Sequence, residues 1–275
     1  MELEGKVAIV TGAGKGIGRA IAGAYAREGA KLVLVSRTLE DVEEAAEEIS
    51  RYGIEPLPLS IDVSKPDHVD IMLASSINKF GSIDILVNNA AILGPVGPFI
   101  QNDMVKWADT VNINVTGLAL CCKAVLPYMI KQSSGKIINL SGAGVSRSSP
   151  TLSAYGVSKA AVVRFTETLS IELEGTNVTA NALGPGQIDT QLLDPIVDAG
   201  SDMIEPLMYN MVRNTKSGGG ASIENAAALA VWLGSDSSDG LNGRMISATQ
   251  VEWLNRTIDI SEIMSSDLYT LRFNS

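Results

Sequence analysis

The sequence predicts an α/β fold, in which one doubly wound domain is built on a seven-stranded, mostly parallel sheet with helices on both faces. Three observations lead to this prediction. Seven short runs of apolar, often β-branched residues alternate with longer segments of helical period. The runs are continuously apolar rather than alternating, which indicates strands buried on both faces. The segments between them suit the right-handed crossovers that join parallel strands.

The hydrophobic pattern sets the order of the elements. Strands are expected at residues 7–11, 31–36, 57–61, 83–88, 136–141, 177–183 and 244–248. Helices are expected at residues 19–28, 41–51, 67–79, 103–131, 152–174 and 223–233. Gly53 follows the acidic second helix, where a glycine can take the left-handed conformation that ends a helix. No repeat or low-complexity linker is visible, so residues 1–275 are expected to form one domain.

Two segments stand outside this alternation. Residues 187–220 contain apolar side chains at roughly helical spacing, namely Met203, Ile204, Leu207, Met208 and Met211. They predict either an amphipathic helix closing on the core or a flexible lid over an apolar substrate, with residues 92–100 as the opposite wall. Residues 251–275 follow the last strand and are expected to pack on the surface, to pack on a partner subunit, or to fray.

Composition narrows the classes of partner. The net charge is −10, and no basic stripe is available for a nucleic acid backbone. Cys121 and Cys122 are adjacent, a spacing that rarely forms a disulfide, and are expected to be buried and reduced. The N-terminus lacks the pattern of a signal peptide, and no apolar run approaches the roughly 20 residues that span a bilayer. A cytoplasmic protein without a membrane or nucleic acid partner is expected.

A glycine-rich turn directly follows the first strand and opens the first helix, with the sequence Gly12-Ala13-Gly14-Lys15-Gly16-Ile17-Gly18. Glycines allow a tight turn and let the backbone approach a pyrophosphate at the positive end of the helix. The same kind of turn can be purely structural. The strand before it and the helix after it favour a Rossmann-type dinucleotide site.

The end of the second strand bears on which dinucleotide is bound. Folds that prefer NAD usually carry an acid there, which holds the ribose hydroxyls. This chain has Ser36 followed by Arg37, and Lys15 adds a second positive charge from the glycine-rich turn. Both cations suit a 2′-phosphate, although they could also be ordinary solvated surface charges. The pattern favours NADP(H) over NAD(H).

Tyr155 and Lys159 lie four residues apart near the start of a predicted helix, so they share one helix face. A nearby ammonium favours the phenolate and would bring the tyrosine pKa closer to neutrality. The Y-x-x-x-K pattern is common by chance. Its position after the fifth strand, at the edge where such sheets bind ligands, favours a catalytic pair.

With these residues in view, the chain resembles the short-chain dehydrogenase/reductase family over residues 3–248. The matching residues, in the family's order and spacing, are 11–18, Asp62-Val63, Asn88-Asn89-Ala90, Tyr155 with Lys159, and Pro185-Gly186. The resemblance implies an oxidoreductase that moves a hydride between a nicotinamide and a carbonyl or alcohol carbon. It also suggests a homotetramer or dimer built on the helices at 103–131 and 152–174.

The resemblance assigns roles residue by residue. Tyr155 would be the general acid/base, Lys159 would hold the nicotinamide ribose and lower the tyrosine pKa, and Asn114 would orient a water for proton relay. The cofactor would be bound by Gly12, Gly14, Lys15, Gly16, Ile17, Gly18, Ser36, Arg37, Asp62, Val63, Asn89, Ala90, Tyr155, Lys159, Pro185, Gly186, Ile188 and Thr190.

Two positions depart from the family pattern. The family's N-N-A-G ends here in Ala91, whose added methyl could tighten the cofactor cleft. The serine that binds the substrate oxygen in many relatives falls at Gly142, thirteen residues before Tyr155. We expect a one-residue insertion in the following loop to bring Ser141 into that role, with Ser146 as the second candidate.

Three further hypotheses remain open from the sequence. They are a non-catalytic NADP(H)-binding sensor, an NAD-dependent dehydrogenase of the same family, and an enoyl reductase. The sensor is supported by Gly142 and Ala91, and opposed by the intact Asn114, Tyr155 and Lys159. His68, the single histidine, is interpreted as a surface residue on an early helical turn without a metal or triad role.

Overall fold

The computed structural model describes residues 1–272 and contains one sheet of seven strands in the order β3-β2-β1-β4-β5-β6-β7. Every pair of neighbouring strands is parallel, so the sheet is wholly rather than mostly parallel. The strands are β1 (Val7–Thr11), β2 (Lys31–Ser36), β3 (Leu57–Ser60), β4 (Ile85–Asn88), β5 (Gly135–Leu140), β6 (Val178–Gly184) and β7 (Met245–Ser247).

Helices cover both faces of the sheet. They are α1 (Gly16–Arg27), α2 (Leu39–Ser50), α3 (Pro66–Phe80), α4 (Met104–Val111), α5 (Leu118–Gln132), α6 (Ser153–Glu172), α7 (Asp194–Ala199), α8 (Pro206–Asn214), α9 (Ile223–Gly234), α10 (Val251–Leu254) and α11 (Ile260–Met264). The helix expected at 103–131 is divided by a π-helical turn at Asn112–Gly117. The segment 187–220 contains the short helices α7 and α8, and α8 carries Leu207, Met208 and Met211 of the apolar residues noted at helical spacing, whereas Met203 and Ile204 precede it.

The core has one layer on each side of the sheet. Side chains of α1, α2 and α9 pack with one face of the central strands, and side chains of α3, α5 and α6 pack with the other. All five residues of β1 are buried, as expected of a central strand covered on both faces. The strand order reverses between β1 and β4, and in sheets of this kind the crevice that binds ligands opens at such a point.

The two adjacent cysteines lie in this core. Cys121 and Cys122 are free and buried, as the sequence predicts, and burial raises the pKa of the Cys121 thiol to about 12. The Asn88 amide donates to the Cys122 sulfur over 3.2 Å and to Asn139 Oδ1 over 2.9 Å. The cysteines therefore act as packing groups beside a buried polar link between β4 and β5.

One helical stretch of the described chain, Met104–Gln132, is long and apolar enough to meet length and composition criteria for a membrane span. This differs from the expectation that no segment approaches such a length. The core helix of a soluble protein meets the same criteria. Here Leu118, Cys121, Val125 and Met129 pack against the sheet in the second core layer.

The C-terminal segment folds back on its own chain. The Met245 N–H of the edge strand β7 donates to the Tyr269 carbonyl over 2.8 Å, so the tail lies against this edge strand and satisfies one of its free backbone groups. The buried Glu167 carboxylate on α6 accepts from the Leu271 N–H and pairs with Arg164 and Arg272. Up to residue 272 the tail thus packs on the surface of its own subunit, the first of the three alternatives that the sequence left open; residues 273–275 lie outside the described chain.

Replacing Glu167 with Ala tests this anchor. The variant loses the acceptor of the Leu271 N–H and leaves two arginines without their partner, so we expect the free energy of unfolding to fall by about 1–2 kcal/mol, after allowance for the half-exposed arginines. Urea unfolding measures this change. Glu172→Ala, an exposed position on the same helix, is the control, and equal losses in the two variants would contradict the anchoring role.

Candidate active site

A cleft of about 950 Å³ opens at the carboxyl ends of β1, β2 and β4. It is lined by the glycine-rich turn, the first residues after β2, residues 61–63 and 89–92, and the segment 189–192. A second cavity of about 500 Å³ lies between α1, α9 and α10, and none of the predicted site residues line it. The first cleft therefore brings together the glycine-rich turn, Ser36-Arg37, Asp62-Val63, Asn89-Ala90 and Thr190, whereas Asn114, Tyr155, Lys159, Pro185, Gly186 and Ile188 do not line it.

The glycine-rich turn is built for close backbone approach. A β-carbon on Gly18 would lie 2.2 Å from the Gly12 carbonyl oxygen, and one on Gly12, whose φ is +65°, would lie 2.7 Å from the Asn89 amide nitrogen. The Asn89 amide donates to the carbonyls of Thr11 and Gly12 over 2.9 and 3.1 Å. Asn89 thus holds the turn from the neighbouring strand.

Helix α1 begins at this turn without a side-chain cap. Its first N–H groups have no partner within the helix, and the helix dipole places positive potential there. A pyrophosphate would satisfy these donors, so the local geometry fits a dinucleotide.

Asp62 and Val63 form another wall of the cleft, and a histidine supports them. The Asp62 N–H donates to His68 Nδ1 over 3.1 Å. Partial burial disfavours the charged carboxylate, but hydrogen bonds from Ser64 and the charge of Arg37 outweigh it and lower the pKa of Asp62. His68 therefore stabilises this wall by accepting the hydrogen bond of the Asp62 N–H. The sequence interpretation missed that role, since six residues separate the two groups and only the β3–α3 turn brings them together.

The basic residues at the cleft differ in their pairing. Lys15 pairs with Asp41 over 2.9 Å, and Arg19 pairs with Glu44 and Glu48. Arg37 takes part in none of the ion pairs formed within residues 1–272. Of the two cations expected to act together, Lys15 thus already has a carboxylate partner, whereas Arg37 has none among residues 1–272.

Tyr155 and Lys159 lie together on the first turns of α6, where Tyr155 is 8% and Lys159 4% exposed. The lysine ammonium donates to the Leu140 carbonyl at the end of β5 over 2.8 Å and lies 5.6 Å from the centre of the Tyr155 ring. Burial raises the pKa of Tyr155 to about 12 and lowers the pKa of Lys159 to about 8. The rise at Tyr155 comes from burial and is opposite in direction to the lowering expected from Lys159.

Asn114 connects this pair to the cleft wall. It lies in the π-helical turn, accepts from the Ile92 N–H and donates to the Ile92 carbonyl, each over 2.9 Å. Its amide also donates to Ser158 Oγ over 3.0 Å, and Ser158 in turn donates to the Tyr155 carbonyl over 2.7 Å. Ser158, which the sequence interpretation did not single out, thus links Asn114 to the helix that carries the tyrosine.

The structure does not bring Ser141 to the tyrosine. Its hydroxyl points to the Met245 sulfur on β7, 3.7 Å away, and it is buried there. A β-carbon on Gly142 would instead lie 2.6 Å from the Tyr155 hydroxyl. Successive residues leaving a strand face opposite sides, so no insertion shifts the register, and Gly142 occupies the position expected of the serine. Ser146 is exposed on the loop.

The segment after β6 closes the remaining side. Gly186 has a φ of +81°, and the Thr190 methyl would lie 3.3 Å from a β-carbon on Gly16. Lys216 ties this segment to the end of α8 through the Thr190 carbonyl and the carboxylates of Asp189 and Asp194. Pro185 and Ile188 lie on the same segment, and Ile188 is buried in the core.

Tyr155 lies beneath an apolar cluster rather than on the open cleft surface. The cluster combines the tyrosine with the 92–100 wall, α7 and α8, and its buried members are Leu93, Leu152, Tyr155, Ile196, Ile204 and Val212. Leu192 packs on this cluster and also lines the cleft, so the two spaces adjoin. Of the five spaced apolar residues, Ile204 and Met208 join the cluster, whereas Leu207 is exposed.

Comparison with known proteins identifies the family and the fold. The profile of the family described as short chain dehydrogenase matches residues 6–200. A 3-oxoacyl-(acyl-carrier-protein) reductase of Staphylococcus epidermidis is 34% identical over 242 residues, covering 88% of this chain and 96% of that protein. A short chain dehydrogenase of Pseudocercospora fijiensis is 36% identical over 218 residues, covering 78% of this chain and 70% of that protein. The crystal structure of NAD+-bound xylitol dehydrogenase superposes with a TM-score of 0.82 at 29% identity, covering 90% of this chain and 98% of that one.

The lowered pKa of Lys159 predicts a pH dependence of stability. The folded chain releases this proton at about pH 8, whereas the unfolded chain keeps it up to about pH 10.4. Between these values the unfolded state binds more protons, so the free energy of unfolding rises with pH. We expect the free energy of unfolding of the parent chain, measured by urea unfolding without cofactor, to rise by about 2 kcal/mol between about pH 7 and 9.5 relative to that of Lys159→Met. Lys123→Met removes an exposed lysine as the control, and parallel pH curves for the parent chain and Lys159→Met would refute a buried, destabilising ammonium.

Proposed function

The chain belongs to the short-chain dehydrogenase/reductase family and is an NAD(P)-dependent oxidoreductase, and on that premise we propose that it transfers a hydride between NADP(H) and a ketone or secondary alcohol. The observation that carries the proposal is the joint burial of Tyr155 and Lys159 under an apolar cluster that adjoins the dinucleotide cleft. A bound nicotinamide supplies the hydride. The protein's own part is to orient the substrate, exclude water and deliver the proton.

Proton transfer is assigned to Tyr155. A neutral phenol beside a carbonyl oxygen donates its proton during reduction and becomes a phenolate, and the phenolate accepts the proton of the alcohol during oxidation. Lys159 supplies a positive charge next to the ring, and its hydrogen bond to Leu140 holds that charge in place. Asn114 and Ser158 keep the first turn of α6 in register with the cleft wall.

Carbonyl polarisation in this chain rests on Tyr155 without a serine partner. Ser141 is turned toward Met245, and Gly142 has no hydroxyl to offer. Loss of one donor to a developing oxyanion typically costs about 10²-fold or more in rate. We therefore assign the catalytic groups as Tyr155, Lys159 and Asn114, and Ser141 is not one of them.

NADP(H) is favoured over NAD(H) because the cleft carries an unpaired cation where the 2′-phosphate would lie. Arg37 follows β2 and makes no ion pair among the described residues, while the end of the strand is the uncharged Ser36. A guanidinium binds phosphate through two parallel hydrogen bonds. The remaining cofactor contacts are proposed at the glycine-rich turn, Asp62-Val63, Asn89-Ala90 and the 185–190 segment.

The substrate class follows from the cluster around Tyr155. Its buried side chains are aliphatic, so the group next to the reacting carbon is proposed to be apolar. Residues 187–220 then act as the lid, since they supply Ile196, Ile204 and Val212, three of the six buried members of that cluster. We further propose one domain over residues 1–275, a cytoplasmic location, and a homotetramer or dimer assembled on α5 and α6.

A non-catalytic NADP(H)-binding sensor is the second candidate, favoured by the position of Ser141. A chain without the oxyanion serine could bind the dinucleotide and not turn over substrate. The two functions differ in one observable, since only the enzyme oxidises NADPH in proportion to an added carbonyl compound.

Replacing Tyr155 with Phe tests the proposed reaction. Removing the hydroxyl leaves no proton donor at the carbonyl, so kcat is expected to fall by at least about 10²-fold while NADPH binding is retained. The measurement is NADPH oxidation followed by absorbance over a panel of apolar ketones and diketones, with Tyr209→Phe, a lid tyrosine, as the matched control. Equal turnover by the parent chain and Tyr155→Phe would exclude the assigned role.

Restoring a serine at position 142 tests the single-donor site. The new β-carbon would lie 2.6 Å from the Tyr155 hydroxyl, so the ring must move, and Gly142→Ser is expected to lower kcat by about tenfold or more. Ser141→Ala should change kcat less than about threefold, because its hydroxyl faces Met245. A rise in kcat for Gly142→Ser would show that the missing hydroxyl limits the rate more than crowding does.

A further inference from the structure

Four cations line the dinucleotide cleft, and three of them are neutralised by carboxylates of the same chain. Lys15 pairs with Asp41, Arg19 with two glutamates of α2, and Lys216 with Asp189 and Asp194. Of these carboxylates, Asp41 and Asp189 themselves line the cleft. Asp189 lies beyond the glycine-rich turn on the 185–190 segment, whereas Asp41 lies on the β2 side near Arg37.

The position of Asp41 is defined by two neighbours. A β-carbon on Gly14 would lie 2.8 Å from the Asp41 Cβ and 3.2 Å from the Ser36 hydroxyl oxygen. Asp41 therefore stands beside the end of β2, although it comes five residues later in the chain, on the first turn of α2. Asp41 thus lies close to the strand end at which folds that prefer NAD usually carry an acid.

The Asp41 side chain is 21% exposed, and its Lys15 partner is 55% exposed. The pair is partly shielded on the carboxylate side, so the negative charge acts on the cleft with less screening than a fully solvated group would have. The ammonium is the mobile partner. It can leave the carboxylate for a phosphate, but the carboxylate then faces that phosphate without its counterion.

We propose that Asp41 sets the cofactor discrimination of this chain by opposing the 2′-phosphate that Arg37 attracts. A 2′-hydroxyl can donate a hydrogen bond to the carboxylate, whereas a 2′-phosphate must draw Lys15 away from it and tolerate the like charge. Asp41 thus favours NADH and Arg37 favours NADPH, and the chain binds both dinucleotides. This inference rests on the proposed function, because it concerns the same cleft.

The test compares dissociation constants for NADPH and NADH, measured by titration of the full-length chain with fluorescence detection. Asp41→Asn keeps the shape and a hydrogen-bonding amide but removes the charge. We expect the preference for NADPH, expressed as the ratio of the two constants, to rise by about tenfold, mainly through tighter NADPH binding. The rise should shrink at high salt, as charge–charge effects do.

Glu40→Gln is the matched control, because Glu40 is an exposed acid in the same first turn of α2. Like Asp41→Asn, this substitution removes one negative charge that interacts with the helix dipole. Its ratio should stay within about twofold of the parent chain. Asp41→Ser provides a second variant should Asp41→Asn prove unstable. A ratio that is unchanged or lowered in both Asp41 variants would overturn the inference, including the case in which both constants move together.

Arg37→Ala separates failure of this inference from failure of the proposed function. It should lower the preference for NADPH whatever Asp41 does. A chain that binds neither dinucleotide would refute the proposed function itself. A chain that binds both, responds to Arg37→Ala and ignores Asp41→Asn would refute the role of Asp41 alone.

Discussion

The contact between the Gly12 carbonyl and Gly18 is the constraint on which the site depends. Any side chain at Gly18 would meet that oxygen at 2.2 Å, so the first strand and the first helix can approach each other only through glycines. That approach brings the uncapped start of α1 to the carboxyl edge of the sheet. Asn89, at the end of the neighbouring strand, then closes the turn through two backbone carbonyls. The dinucleotide cleft follows from these few contacts.

The parallel sheet brings the residues of the other half of the site together. All strand ends meet at one edge, so residues after β1, β4 and β5 become neighbours although they are far apart in the chain. Lys159 reaches back to the Leu140 carbonyl at this edge, and Asn114 joins the wall at Ile92. The π-helical turn that contains Asn114 is the local irregularity that separates α4 from α5. Irregular turns of this kind are frequent at functional sites.

Burial around Tyr155 has opposite effects on the two ionisable groups. It raises the pKa of Tyr155 and lowers the pKa of Lys159, so burial favours the neutral form of each group and the tyrosine is a phenol rather than a phenolate. The apolar cluster contributes to the burial of Tyr155, and in the proposed reaction it would keep water away from the phenol. Charge is instead gathered on the opposite side of the cleft, where three of the four cations have acidic partners. The apolar cluster around Tyr155 and the charged dinucleotide cleft are therefore separate regions that adjoin at Leu192.

Most of the fold could be read from local pattern. The apolar runs predicted all seven strands to within a few residues, because strands buried on both faces must be apolar throughout. The glycine-rich turn, the Tyr155–Lys159 spacing and Arg37 were also visible, since each depends on residues close together in the chain. The family and its nicotinamide chemistry were determined at this level.

The tertiary structure decided what depends on the direction of side chains and on contacts across the chain. Ser141 and Gly142 are adjacent in sequence, yet the strand turns one toward Met245 and the other toward Tyr155. The support of Asp62 by His68, the pairing of Lys15 with Asp41 and the return of the tail to β7 join residues from different elements. The net pKa of the tyrosine was equally out of reach, because the burial that raises it comes from the lid as well as from α6. Spacing along a chain reports which groups are present, but only packing determines which of them meet.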